Sequence, residues 1–151
     1  MKPRFNKNYK GIRCRVYLVR ENIDNEVITI NNSDSIHKLV KDELVNSDRE
    51  RLLSVMLTTR NHLIGVETVN IGSLNCINIS PREIFKSAIL ANAASIILCH
   101  NHPSGDLVPS DHDIEITEKL IQGGELLGIK VLDHIIVSSN GYKSLRDFHT
   151  F

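Results

Sequence analysis

The chain reads as one α/β layered domain in which strands alternate with two or three helices. Three observations predict this. The 151 residues, 41% hydrophobic and 24% charged, suffice for a single core. Segments of period-two hydrophobicity alternate with segments of helical period. Turn and cap signals fall between them: Ser80-Pro81-Arg82-Glu83, Gly128 and Asn140-Gly141. This pattern of alternating elements points to layers of helix packed on sheet.

Taken in order, residues 1–10 are polar. Ile12–Leu18 alternates apolar and polar side chains, and Glu26–Ile30 is a second strand candidate. Ser33–Val45 places Ile36, Leu39, Val40 and Leu44 on one helical face, with Ser33 or Asp34 as cap. Leu52–Thr58 and Leu63–Ile71 read as strands joined by a turn at Asn61-His62, and Leu74–Ile79 as a third. Ser80 and Glu83 form a capping box with proline at the first helical position, opening a helix to about Ala94. Ser95–Cys99 is short and wholly apolar, as a central strand covered on both faces would be. Ser110–Leu127 is a helix with Ile114, Thr117, Leu120, Ile121 and Leu127 inward, stopped by Gly128. Ile129–Ser138 is a long strand, and Asn140-Gly141 turns it back into Tyr142–Leu145. Residues 1–30 thus form a basic N-terminal arm with one or two strands packed on the domain, and residues 31–151 form the domain itself.

Lys+Arg and Asp+Glu both total 18, so no whole-protein field draws the chain to nucleic acid. The charge is uneven: Lys2, Arg4, Lys7, Lys10, Arg13, Arg15 and Arg20 all precede the first acid, Glu21. That arm is either a solvated tail or a contact for phosphate or an acidic partner. Cys14, Cys76 and Cys99 are scattered in apolar stretches, the pattern of reduced core residues in a cytoplasmic protein. No apolar run reaches membrane-spanning length and no secretory signal is visible, so no membrane partner is expected.

The most informative stretch is His100-Asn101-His102 and the loop and acidic helix start that follow it. Residues two apart on an extended chain point the same way, so both imidazoles can address one point. Two neutral nitrogens and one carboxylate, with one position open, are the protein ligands of a catalytic zinc site. Asp113 is the best third ligand, yet it also stands third in Ser110-Asp111-His112-Asp113, where an acid caps a helix with or without metal. Asp111 and Asp106 are alternates, and His112 faces solvent beside the site. Ser110 either only caps the helix or also offers its hydroxyl to a developing oxyanion. Asn101 and Ser104 read as turn formers, and Gly105 and the two prolines shape the loop. A water activated at a metal needs a proton acceptor. Glu67, inside Val66-Glu67-Thr68-Val69, is the leading candidate unless it points to solvent; Glu83 is the runner-up but has its capping role. Asp133 and His134 lie in an apolar strand, where one of them either hydrogen-bonds a ligand imidazole or the two form a buried structural pair. His37, His62 and His149 read as surface residues.

Glu67 upstream, then His100-x-His102, seven residues, Ser110, two residues and Asp113 resembles the JAMM (MPN+) metalloprotease motif. Ile71-Gly72-Ser73-Leu74-Asn75, Pro81–Phe85, His100–Gly105 and Leu132–Ile136 resemble the RadC-like JAB domain branch, and the similarity spans residues 35–147. The resemblance implies a cytidine-deaminase-like JAB/MPN fold with a mixed central sheet flanked by helices. It implies one zinc held by His100, His102 and Asp113, with Glu67 activating the water and Ser110 steadying the tetrahedral intermediate. Relatives of known activity cleave peptide or isopeptide bonds, so the expected function is zinc-dependent hydrolysis of a peptide, isopeptide or related amide. The alternatives are a non-catalytic module or a DNA-associated one, since this branch often carries a DNA-repair label. Long members add an N-terminal helix-hairpin-helix region; none is visible here, and the chain is expected to be a short form. A zinc deaminase would need H-x-E and P-C-x-x-C, which are absent.

Overall fold

A computed structural model describes residues 16–19, 26–72 and 79–147. The basic arm up to residue 15, most of the Ile12–Leu18 strand candidate and nearly all of Leu74–Ile79 lie outside these residues. The described elements run α1 (Ser33–Val45), β1 (Arg51–Leu57), β2 (Leu63–Ile71), α2 (Pro81–Leu90), β3 (Ser95–Asn101), α3 (Asp111–Leu127), β4 (Lys130–Ser138) and β5 (Gly141–Ser144), then a short 3-10 turn, Leu145–Asp147. The strands form one sheet in the order β2-β1-β3-β4-β5. Among the described strands only β3 and β4 pair in parallel, and α3 makes the crossover that parallel neighbours need. The fold is therefore the expected α/β layering around a mixed, largely antiparallel sheet.

Both faces of the sheet are covered. Leu53, Val55, Ile97, Cys99, Ile135 and Val137 pack against Ile36, Val40 and Leu44 of α1. Leu52, Met56, Ile96 and Leu98 pack against Ile84 and Phe85 of α2 and Ile116 and Leu120 of α3. Every residue of β3 is buried, as the apolar run predicted for a central strand. Among the described residues, no helix is long and apolar enough to cross a membrane.

Several local expectations are corrected. The cap of α1 is Asn32, not Ser33 or Asp34: its side chain accepts from the Ser35 amide at 2.9 Å, and Ser35 Oγ bonds back to it. Ser80 starts α2 in extended conformation, but its side chain makes no capping bond, and Glu83 lies by Lys86 instead. That helix stops at Leu90, short of Ala94, because Asn92 turns to φ 52°. Glu26–Ile30 yields one bridge, Thr29 to His62, rather than a strand. On α3 the buried residues are Asp113, Ile116, Thr117, Leu120 and Gly124, whereas Leu127 is exposed; the inward face is rotated from the predicted one.

Gly124 explains that rotation. A Cβ there would run into the backbone carbonyl of Ile129 and touch Phe85 and Val131. The helix thus presses its backbone against the start of β4, where no side chain fits. Gly124→Ala is expected to cost about 1–3 kcal/mol through overpacking. The check is a thermal melt, which should fall by roughly 2–4 °C per kcal/mol.

Candidate metal centre

The site forms where β3 leaves the sheet and α3 begins. Ile96, Leu98 and His100 share the sheet face that α2 and α3 cover, so the apolar alternation of β3 delivers His100, buried, beneath α3. His102 follows two residues on. Its Nε2 lies 2.9 Å from His100 Nε2. Its Nδ1 lies 2.9 Å from the Asp106 carbonyl, which can only accept. His102 Nδ1 therefore carries a proton, and in the neutral ring Nε2 is the bare nitrogen. The loop turns tightly here, with the Gly105 amide bonding back to the His102 carbonyl at 2.8 Å and Gly105 at φ 81°.

Asp113 caps the helix and also faces the two imidazoles. Ser110 caps α3, and Asp113 Oδ2 accepts from the Ser110 amide at 2.8 Å and from its hydroxyl at 2.7 Å. The same carboxylate faces the imidazoles, with Oδ1 3.3 Å from His100 Nε2 and Oδ2 3.5 Å from His102 Nε2. The alternates separate from this point: Asp106 and Asp111 are exposed, as is His112. Asp106 instead orders the loop, accepting from the Val108 amide.

A fourth group, absent from the sequence reading, joins them. Ligand atoms of Glu50, His100, His102 and Asp113 all lie within 4.8 Å of one another. Glu50 directly precedes β1, which pairs antiparallel with β3 with Leu52 opposite His100; continued by two residues, that register sets Glu50 opposite His102. Asn101 is not a turn former but the last residue of β3, and it is buried. Its side chain accepts from the Arg51 amide at 2.8 Å and donates to the Arg49 carbonyl at 3.0 Å, clamping the backbone on either side of Glu50.

Glu67 is not a member of this group. It lies on β2 opposite Ser54, which shares its sheet face with Leu52 and Met56 and hence with His100. Glu67 Oε2 and Ser54 Oγ are both buried and find no hydrogen-bond partner among the described residues. Glu83 sits at the exposed start of α2.

The two candidates on β4 part ways. A register shift between Ile96 and Ile97 sets Ile97 opposite Asp133 and Leu98 opposite His134. Asp133 consequently faces α1 and β5, accepting from Ser144 Oγ at 2.8 Å and Ser33 Oγ at 3.4 Å. His134 faces the site, with Nε2 2.7 Å from His100 Nδ1 and Nδ1 2.6 Å from Thr117 Oγ1.

Burial drives the His100 imidazole well below its ordinary range, assisted by the neighbouring His134, so its contact with Asp113 joins a neutral ring to a carboxylate. His134 is pushed down to about 4, again by burial. His102 is raised by its bond to Asp113, against partial burial and with help from the Asp106 carbonyl. Burial acts to raise Asp113, but His102, His100 and Ser110 outweigh it and hold the carboxyl below the usual range. Glu50 moves the other way, raised by burial and by the nearby Asp113 charge. Two imidazoles, with His102 giving up its extra proton when an ion binds, and an ionised carboxylate form a donor set that suits zinc, whose tetrahedral sites take this mixture.

A mixed sheet between helices, with an H-x-H strand end facing the acid of a capped helix, defines a JAB/MPN-like α/β domain with a JAMM-like side-chain cluster. Residues 30–150 match the family model of the RadC-like JAB domain, and the chain belongs to that family. It is similar to a UPF0758 protein of Desulfitobacterium hafniense, 48% identical over 118 residues, which cover 78% of this chain and 52% of that protein. Similar UPF0758 proteins occur in Desulforudis audaxviator, at 47% identity over 78% of this chain and 51% of the relative, and in Methanosarcina mazei, at 45% over 78% and 52%. The chain spans about half the length of these curated relatives.

Proposed function

We propose that this domain is a zinc-dependent hydrolase of a peptide, isopeptide or related amide bond. The observation that carries the reading is the convergence of two imidazoles and two carboxylates, on three separate segments, within one 4.8 Å cluster. His100, His102 and Asp113 would hold the ion. A bound zinc supplies Lewis acidity, polarising the scissile carbonyl and acidifying water. The chain's own residues do the rest. Glu50 takes a proton from the attacking water and delivers it to the amine nitrogen as the C–N bond breaks. Ser110 orients Asp113 at rest and presents its hydroxyl for the oxyanion of the tetrahedral intermediate. The base role assigned to Glu67 in the sequence passes to Glu50 in this proposal, because Glu50 stands among the ligand atoms. Glu67, on the same sheet face, is the competing base.

The test is metal analysis of the purified protein together with cleavage of a library of internally quenched peptides that includes lysine isopeptides. About one zinc per chain is expected, with cleavage abolished by chelation and restored by zinc. His100→Ala should lose both metal and cleavage. Full zinc retention in a His100→Ala/His102→Ala double variant overturns the ligand assignment. Cleavage that survives removal of the metal overturns the zinc-dependent reading, and no cleavage by the zinc-loaded protein overturns the hydrolase reading.

A further inference from the structure

A chain of hydrogen bonds runs from the backbone of one proposed ligand to the side chain of another. Thr117 Oγ1 lies 2.5 Å from the carbonyl oxygen of Asp113, one turn back on α3. This is the usual back-bond of a helical threonine. A carbonyl only accepts, so the single hydroxyl proton of Thr117 is spent on it. Thr117 Oγ1 must then accept from the group 2.6 Å away on its other side, which is His134 Nδ1. His134 is 2% exposed, and burial of that degree favours the uncharged ring, with one ring proton. With that proton on Nδ1, Nε2 is left to accept from His100 Nδ1 at 2.7 Å. His100, 1% exposed and uncharged for the same reason, thereby has its proton on Nδ1 and a bare Nε2. That Nε2 is the atom facing His102 and Asp113, so in the metal-free protein the hydrogen between the two rings belongs to His102 Nε2 and leaves when an ion takes its place. The opposite proton order fails at its first link, because it would leave two oxygens 2.5 Å apart with no hydrogen between them.

We infer that Thr117 and His134 are positioning residues that lock His100 in its Nδ1–H tautomer and so aim its Nε2 lone pair at the metal. The inference rests on the zinc reading above and adds what prepares the ligand before the ion arrives. The order of protons is set by a helix carbonyl and passes unbroken through two buried side chains. A ligand histidine whose other nitrogen is held by an outer partner is a recurring device of zinc proteins. Here the partner is a second imidazole, which can take either tautomer, and Thr117 is what decides between them.

The experiment has two arms. Long-range 1H–15N spectra of the imidazole rings in the metal-free protein should show His100 and His134 both as Nδ1–H tautomers. In Thr117→Val the acceptor for His134 Nδ1 is gone, and both rings should shift toward Nε2–H. In the second arm, zinc affinity is measured by competition with a chromophoric chelator. Thr117→Val is expected to bind about 10–100-fold more weakly, the range for loss of an outer partner. Thr117→Ser, which restores the hydroxyl, and His134→Gln, whose amide oxygen can accept from His100 Nδ1, should stay near wild type. His134→Leu should fall with Thr117→Val, and circular dichroism identifies any variant that fails to fold. An Nε2–H His100 in the metal-free wild type overturns the inference, as does a folded Thr117→Val with unchanged zinc affinity. A wild type that binds no zinc sinks the reading beneath it instead, a failure the tautomer spectra tell apart.

Discussion

Glu50→Gln is expected to abolish amide hydrolysis, by about 10³-fold within the range for loss of a general base, while zinc content stays at the wild-type level. Glutamine keeps the shape and hydrogen-bonding reach of the side chain but cannot accept and carry a proton. The variant thus separates proton transfer from metal binding. The geometry gives the reason. Asp113 is anchored by two bonds from Ser110. Glu50 enters the same 4.8 Å cluster from the residue before β1, on backbone that Asn101 clamps. Glu67→Gln is the necessary comparator, since Glu67 occupies the same sheet face with a buried, unpartnered oxygen. Under the proposal it leaves the rate within a few-fold of wild type. A collapse of activity in Glu67→Gln, with Glu50→Gln active, would return the base role to β2. Steady-state cleavage of one peptide substrate and metal analysis of both variants decide the matter.

The sequence announced the histidine pair because its signal is local. Period-two register places His100 and His102 together wherever the strand lies. It likewise revealed the start of α3, since a cap is written in four consecutive residues. Glu50 was invisible for the converse reason. No spacing ties it to the histidines, and it reaches them only through the antiparallel register of β1 on β3. An acid at the head of the apolar run Leu52–Leu57 was the available signal, but its value depends on knowing that this run pairs with Ser95–Asn101. The choice between Asp133 and His134 was closed for a related reason. Simple alternation would place Asp133 on the Val131 face, yet the register shift in the β3–β4 pair reverses the parity and turns His134 to the site. Ser80 shows the limit of cap signatures: the letters of the box are present and the bond is not. Local chemistry was therefore legible, whereas everything decided by pairing across the sheet was not.

Asp113→Asn should lower zinc affinity by more than about 100-fold, beyond the range seen when only an outer partner is lost, yet leave the metal-free fold nearly unchanged. Under the proposal the position serves two masters, and asparagine serves only one of them. Its amide oxygen can still accept from the Ser110 amide and hydroxyl, so the turn that opens α3 survives; loss of a cap outright would cost only about 1 kcal/mol in any case. What disappears is the negative charge. Asp113 is buried, and the neighbouring imidazoles and Ser110 keep it ionised. A divalent ion held there by two neutral imidazoles without that charge would sit uncompensated in a poorly solvated place, which is far costlier than a lost hydrogen bond. The two roles therefore separate in two measurements, chelator competition for zinc and a thermal melt of the metal-free protein. A large drop in affinity with an unmoved melt identifies Asp113 as a ligand that also caps. An unchanged affinity with a lowered melt would make it a cap alone and leave His100 and His102 without their third partner.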